Sequence, residues 1–87
     1  MAIVGAELAS LTRLEATVAQ QQQALEALRT TLSTQIEATE WRGLAADRFR
    51  AQWREEHDPA LRRLAGALDE AGVEVARRRA ALEAAGA

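Results

Sequence analysis

The feature that most constrains this chain is an uninterrupted run between Ala6 and Arg42 that contains neither glycine nor proline, the two residues least compatible with a helix interior. Within this run the large apolar residues recur every three or four positions. At 3.6 residues per turn they share a sector about 120° wide. They are Leu11, Leu14, Val18, Leu25, Leu28, Leu32 and Ile36. The pattern predicts an amphipathic helix over about residues 7–40.

A second apolar stripe with the same period occupies the rest of the chain and predicts a helix over about residues 44–85. Its members are Ala46, Phe49, Trp53, His57, Ala60, Leu61, Leu64, Leu68, Ala71, Val75, Leu82 and Ala85. Pro59 lies inside this stripe, and an interior proline removes a hydrogen bond and clashes with the preceding turn. We therefore expect a kink or a short break near Pro59, after which the helix resumes in phase.

The segment Trp41-Arg42-Gly43 separates the two stripes and is the predicted turn. Gly43 can adopt the positive φ that ends a helix. Asp47 suits the first turn of the next helix, because the helix dipole favours a negative charge there. A connection this short makes the two helices antiparallel neighbours. The predicted fold class is all-α, a single-domain antiparallel helical hairpin over residues 1–87.

A lone hairpin of this composition has too few large apolar side chains for a self-sufficient core. Leu, Ile, Val, Met, Phe and Trp supply 21 of the 87 residues, and cysteine, which could supply disulfides or thiolate metal sites, is absent. Two helices side by side leave an apolar strip exposed, whereas two hairpins close a four-helix bundle. We predict a dimer of this kind. Its interface would comprise Leu11, Leu14, Val18, Leu25, Leu28, Leu32, Ile36, Phe49, Trp53, Leu61, Leu64, Leu68 and Val75.

Charge and composition argue against several classes of function. The 11 basic and 13 acidic residues interleave, and the net charge of −2 is unlike that of a nucleic-acid-binding domain. His57 is the only histidine, interpreted as a residue of the kink or interface, and no glycine-rich phosphate loop is present. We predict no enzyme activity and no catalytic, cofactor or metal site. No segment approaches the ~20 apolar residues that span a bilayer, and the first residues do not resemble a signal peptide.

The residues around the turn resemble a known family. A Trp-x-Gly turn between two amphipathic helices, followed by Ala45-Ala46 and by Phe49 and Trp53 four residues apart, is similar to the WXG family of type VII (ESX) secretion substrates, related to the early secreted antigenic target proteins. Arms rich in Ala, Leu and Arg, without cysteine or a cleavable signal, agree with this resemblance. Arginine without lysine is typical of a GC-rich bacterial genome, as in actinobacteria.

The resemblance implies a small secreted protein that acts by pairing with a related hairpin, with Trp41 and Gly43 building the turn. The family's Tyr-x-x-x-Asp/Glu export signal is absent, because the chain has no tyrosine and Val75 and Arg79 occupy the corresponding places. If export needs one signal per dimer, the partner supplies it to the type VII secretion ATPase. This favours a heterodimer over a homodimer. The expected location is extracellular, reached without a cleavable signal peptide.

Two other interpretations compete with this one. The first is a cytoplasmic coiled-coil adaptor or secretion chaperone that is not itself exported, although such an adaptor has no reason to place Trp41-Arg42-Gly43 in its turn. The second is the export domain of a larger toxin, which we do not expect because the chain begins with Met1 and ends in small residues.

Overall fold

The computed structural model describes residues 2–86. Three α-helices, α1 (Ala2–Ala38), α2 (Leu44–Gln52) and α3 (Asp58–Gly86), account for most of them, with a π-helical turn at Trp53–His57 between the last two. We call α1 the first arm and the continuous segment 44–86 the second arm. Residues 2–86 contain helix and no strand, which confirms the all-α class.

The two arms lie side by side in a single layer. The molecule measures 65 × 18 × 13 Å, so its smallest dimension is close to the diameter of one helix with its side chains. Its radius of gyration is 19.4 Å, whereas a globular domain of this length has a radius of about 12 Å. Its accessible surface is 6441 Å², against about 5,000 Å² for a compact protein of this mass. The hairpin therefore exposes about 1,400 Å² more than a compact monomer.

The first arm begins earlier and ends sooner than the expected 7–40. Its N-terminal end is matched in length by the second arm, since a Cβ placed on Gly86 would lie 3.2 Å from Cγ1 of Val4. At the other end α1 stops at Ala38, and the carbonyl that follows has partners outside the helix. The Thr39 carbonyl accepts from the Trp41 N–H at 2.8 Å and from Arg50 Nη2 at 2.8 Å.

The second arm passes Pro59 without a break. Near the expected kink or break, Trp53–His57 form a π-helical turn, in which the Asp58 N–H donates to the Trp53 carbonyl five residues earlier. Such a turn is one of the features at which helices commonly kink. A π turn is wider than an α turn and gives the pyrrolidine ring of Pro59 room against the preceding carbonyls. The two halves of the arm thus remain one continuous helix.

Candidate partner-binding surface

The connection between the arms is held by one arginine. The Arg50 guanidinium donates to the carbonyls of Ile36, Thr39 and Trp41 at 3.1, 2.8 and 3.0 Å. Carbonyls at a helix C-terminus lack partners within the helix, so a cation placed there satisfies them and also complements the helix dipole. Arg50 therefore fixes where the second arm leaves the first.

Gly43 and Trp41 shape the same connection in different ways. Gly43 has φ 110°, a conformation that strongly favours glycine, and it lies at the N-cap of α2 rather than at the end of α1 as expected. Its carbonyl accepts from the Asp47 N–H at 3.0 Å. The Trp41 ring lies 5.8 Å from the Phe49 ring between centroids, yet Trp41 remains 43% exposed. The two rings form an open aromatic pair at the tip of the hairpin.

The core of the hairpin is small and lies between the arms. Its buried members within the described residues are Leu25, Ala46 and Trp53, and the last is 8% exposed. The Trp53 indole Nε1–H donates to Ser33 Oγ at 3.1 Å, which satisfies the one polar atom of the ring. This hydrogen bond holds the Trp53 side chain against the first arm of its own chain.

One side of the layer, which we call the polar side, carries ion pairs between the arms. Arg29 Nε contacts Asp58 Oδ1 at 3.0 Å, and Arg79 Nε contacts Glu15 Oε2 at 2.7 Å. Between these two pairs, Gln22 Nε2 donates to Asp69 Oδ1 at 3.4 Å. The contacts hold the arms in register along most of their length.

The most sheltered of these pairs shifts the pKa values of both partners. The hydrogen bond from Arg29 holds the pKa of the Asp58 carboxyl below its ordinary value, and the same bond raises the pKa of Arg29. The hydrogen bond to Glu15 similarly raises the pKa of Arg79. Both side chains of the Arg29–Asp58 pair are only 15% exposed, so the bond joins two charges that are largely shielded from water.

The opposite side of the layer, the apolar side, is not covered by any element within residues 2–86. Its large residues are each between 38 and 49% exposed: Leu14, Leu28, Leu32, Phe49 and Leu64. A groove runs between the arms on this side and is lined by Gln21, Ala24, Leu25, Leu28, Leu64 and Leu68. Contiguous apolar surface of this kind is uncommon on monomeric proteins and marks sites of interaction.

The structure divides the predicted interface residues into three groups by exposure. Leu25 and Trp53 are buried inside the hairpin. The half-buried residues at the seam between the arms are Leu11, Val18, Ile36, Leu61, Leu68 and Val75. The remaining five residues form the exposed part of the apolar side. On each arm, one edge of the apolar stripe therefore packs inside the hairpin, and the other edge faces solvent.

Sequence reasoning missed the charged residues of the seam. Glu15, Gln22 and Arg29 are seven residues apart, and Asp58 and Arg79 are separated by three such intervals on the second arm. A seven-residue polar repeat inside a helical seam is the pattern by which coiled coils set register. This seven-residue spacing was the sequence signal that could have revealed the polar contacts between the arms. Arg50 gave no comparable signal, because its role depends on where the connection folds back.

Neither a metal centre nor a membrane span is found in the part of the chain that the structure describes. No three His, Asp or Glu side chains there gather closely enough to hold a metal ion. None of these helices combines the length and apolar character needed to cross a bilayer.

Comparison of the chain with protein-family models, with curated proteins and with solved structures finds no match.

Proposed function

We propose that this chain is a small secreted, non-enzymatic hairpin protein of the type VII secretion class, which acts by pairing with a related hairpin. The observation that carries the proposal is the uncovered apolar side, with leucines 38 to 49% exposed on a layer only 13 Å thick. The excess surface of about 1,400 Å² is larger than the ~800 Å² that each partner buries in a standard interface.

The resemblance to the WXG family around the connection is the reason for proposing the type VII secretion class. Trp41 and Gly43 lie between the two arms, and Phe49 and Trp53 follow on the second arm. A partner hairpin laid on the apolar side would complete a four-helix bundle. Because the chain contains no tyrosine, a partner carrying the export signal would bring the pair to the secretion ATPase, which favours a heterodimer.

The test is secretion in a bacterium with an active type VII system. An epitope-tagged copy is co-expressed with a hairpin partner that carries a Tyr-x-x-x-Asp/Glu signal, and the culture filtrate is probed with and without the secretion ATPase. We expect the tagged chain in the filtrate only when the ATPase is present, with a cytosolic marker absent from the filtrate.

A matched pair of variants connects export to the apolar side. Leu28→Glu places a charge on the apolar side, and Thr30→Glu places the same charge on an exposed position of the same helix outside it. We expect export to be lost with Leu28→Glu and kept with Thr30→Glu. Retention of the unmodified chain in the cytosol, still bound to the partner, would instead support the adaptor or chaperone.

A further inference from the structure

The chain is rich in arginine, but almost all of its arginines lie in helices. Ten of the 11 lie within α1, α2, the π-helical turn or α3. Arg42 is the exception, because it lies in the connection between Ala38 and Leu44. The chain has no lysine, so Arg42–Gly43 is the one peptide bond after a basic residue that lies outside a helix in residues 2–86.

The connection presents this bond to solvent. Every residue from 37 to 45 is exposed. Within residues 2–86, the N–H and carbonyl of Arg42 and the N–H of Gly43 have no backbone hydrogen-bond partner, whereas residues inside a helix use these groups in its ladder. A cleft that binds an extended peptide holds it through main-chain N–H and C=O groups. Arg42 can enter such a cleft directly, whereas the other arginines must first leave a helix.

Gly43 allows the connection to straighten. It has φ 110° and ψ −179°, and glycine exchanges positive for negative φ at little steric cost. The nearest restraints are the hydrogen bond from the Asp47 N–H to the Gly43 carbonyl and the one from Arg50 Nη1 to the Trp41 carbonyl, both 3.0 Å long. Opening of the Arg42–Gly43 bond to an enzyme therefore disturbs the tip of the hairpin and leaves the arms in place.

We propose that the Arg42–Gly43 bond is a processing site for an arginine-specific endopeptidase, which converts the hairpin into a two-chain form with its arms still paired. Such an enzyme recognises the guanidinium in an anionic pocket. The hydroxyl of water bonds to the Arg42 carbonyl carbon, and the C–N bond breaks with its electron pair going to the Gly43 nitrogen. That nitrogen takes both protons of the water, which leaves a carboxylate and an ammonium group.

The contacts that join the arms lie away from the bond that is cut. The Trp53 indole donates to Ser33 at 3.1 Å, and Arg79 contacts Glu15 at 2.7 Å. Cleavage removes the effective concentration that the connection supplies, so pairing of the arms becomes dependent on protein concentration. The site uses only the tip of the hairpin, so this proposal is independent of the apolar side and of the proposed function.

Trypsin at a low ratio to the intact chain is the probe, and mass spectrometry identifies the products over time. Cleavage within a helix requires local unfolding, so we expect the first cut after Arg42, at least about tenfold faster than any other. Arg42→Gln should slow the loss of intact chain by about the same factor. Arg48→Gln is the matched control, at an exposed arginine inside α2, and should leave the loss unchanged.

A first cut after Arg13 or within Arg77–Arg79, toward the open end of the hairpin, would overturn the site. Equal survival of the unmodified chain and Arg42→Gln would do the same. The cut protein is then passed through a size-exclusion column at micromolar concentration, where we expect both fragments to elute together. Fragments that separate would overturn the two-chain form.

Discussion

At the scale of single residues, four arginines join the two arms, one of them through an exposed pair between Arg54 and Glu37. Arg50 donates hydrogen bonds to three backbone carbonyls at the connection. Arg29 bonds Asp58 near the middle of the hairpin, and Arg79 bonds Glu15 toward its open end. The planar fork of several donors makes arginine suited to such positions, where lysine offers only a point charge.

Arg50→Ala removes the three hydrogen bonds that hold the connection. We expect it to lower the free energy of unfolding by about 2 kcal/mol, because carbonyls at the end of α1 lose a charged donor. Arg48→Ala, at an exposed position of the same helix, is the control and should stay within about 0.5 kcal/mol of the unmodified chain. Urea denaturation at one fixed protein concentration measures both, and equal effects would contradict the role given to Arg50.

The Asp58 carboxylate predicts a specific acid dependence. Its folded-state pKa lies below the ordinary value of 3.8 because of the hydrogen bond from Arg29. A depressed pKa contributes stability that is present above the unfolded value and is lost as pH falls through the folded value. We expect the urea concentration at the denaturation midpoint to decrease as the pH is lowered below 4. The decrease should be smaller in Asp58→Asn. A parallel decline in both proteins would show that other carboxylates dominate.

At the scale of elements, glycine is favourable in the connection but unfavourable within the helix of the second arm. Gly43 has φ 110°, so Gly43→Ala should destabilise the hairpin by about 1–3 kcal/mol through backbone strain. Gly66 lies within α3 with open space around its missing Cβ, so Gly66→Ala should stabilise by about 0.5–1 kcal/mol. Thermal or urea melting of the two variants provides the comparison, and the same sign for both would be inconsistent with the connection described.

The sequence was sufficient to predict the class of element but not its details. Apolar periodicity, together with the absence of glycine and proline from most of the first arm, predicts long helices, because burial of one face dominates helix stability. The π turn before Pro59 was predicted only as a disturbance, since propensity does not say how a helix will absorb a proline. The hydrogen bond from Arg50 to the Ile36 carbonyl, near the end of α1, joins residues 14 positions apart, and no local pattern reveals it.

The candidate surface was predictable only as a stripe. Spacing identified Leu28 and Trp53 equally as interface residues, but the structure buries Trp53 within the hairpin and leaves Leu28 46% exposed. Leu28 lies on the first arm and Trp53 on the second, and periodicity places each on an apolar stripe without showing which edge of that stripe packs against the other arm. Glu15, Gln22 and Arg29 contact the second arm, and they mark the edge of the first arm that packs inside the hairpin.

At the scale of the whole molecule, association should depend on the apolar side and not on charge elsewhere. Leu64→Glu introduces a charge beside the groove, and we expect it to weaken dimerisation at least about tenfold, as for a residue in a desolvated interface. Ala81→Glu, at an exposed position of the same helix, is the matched control. Sedimentation velocity over a concentration series measures both, and an undiminished Leu64→Glu dimer would place the interface elsewhere.

The arginine at the connection also has a kinetic consequence. Its bond to Ile36 closes a loop of 14 residues, whereas the bond between Glu15 and Arg79 joins positions 64 residues apart. Shorter loops cost less entropy to close, so we expect the hairpin to close from its tip, with each contact bringing the next pair of residues closer together. The free ends then close last and open first, so transient fraying begins where Val4 lies beside Gly86.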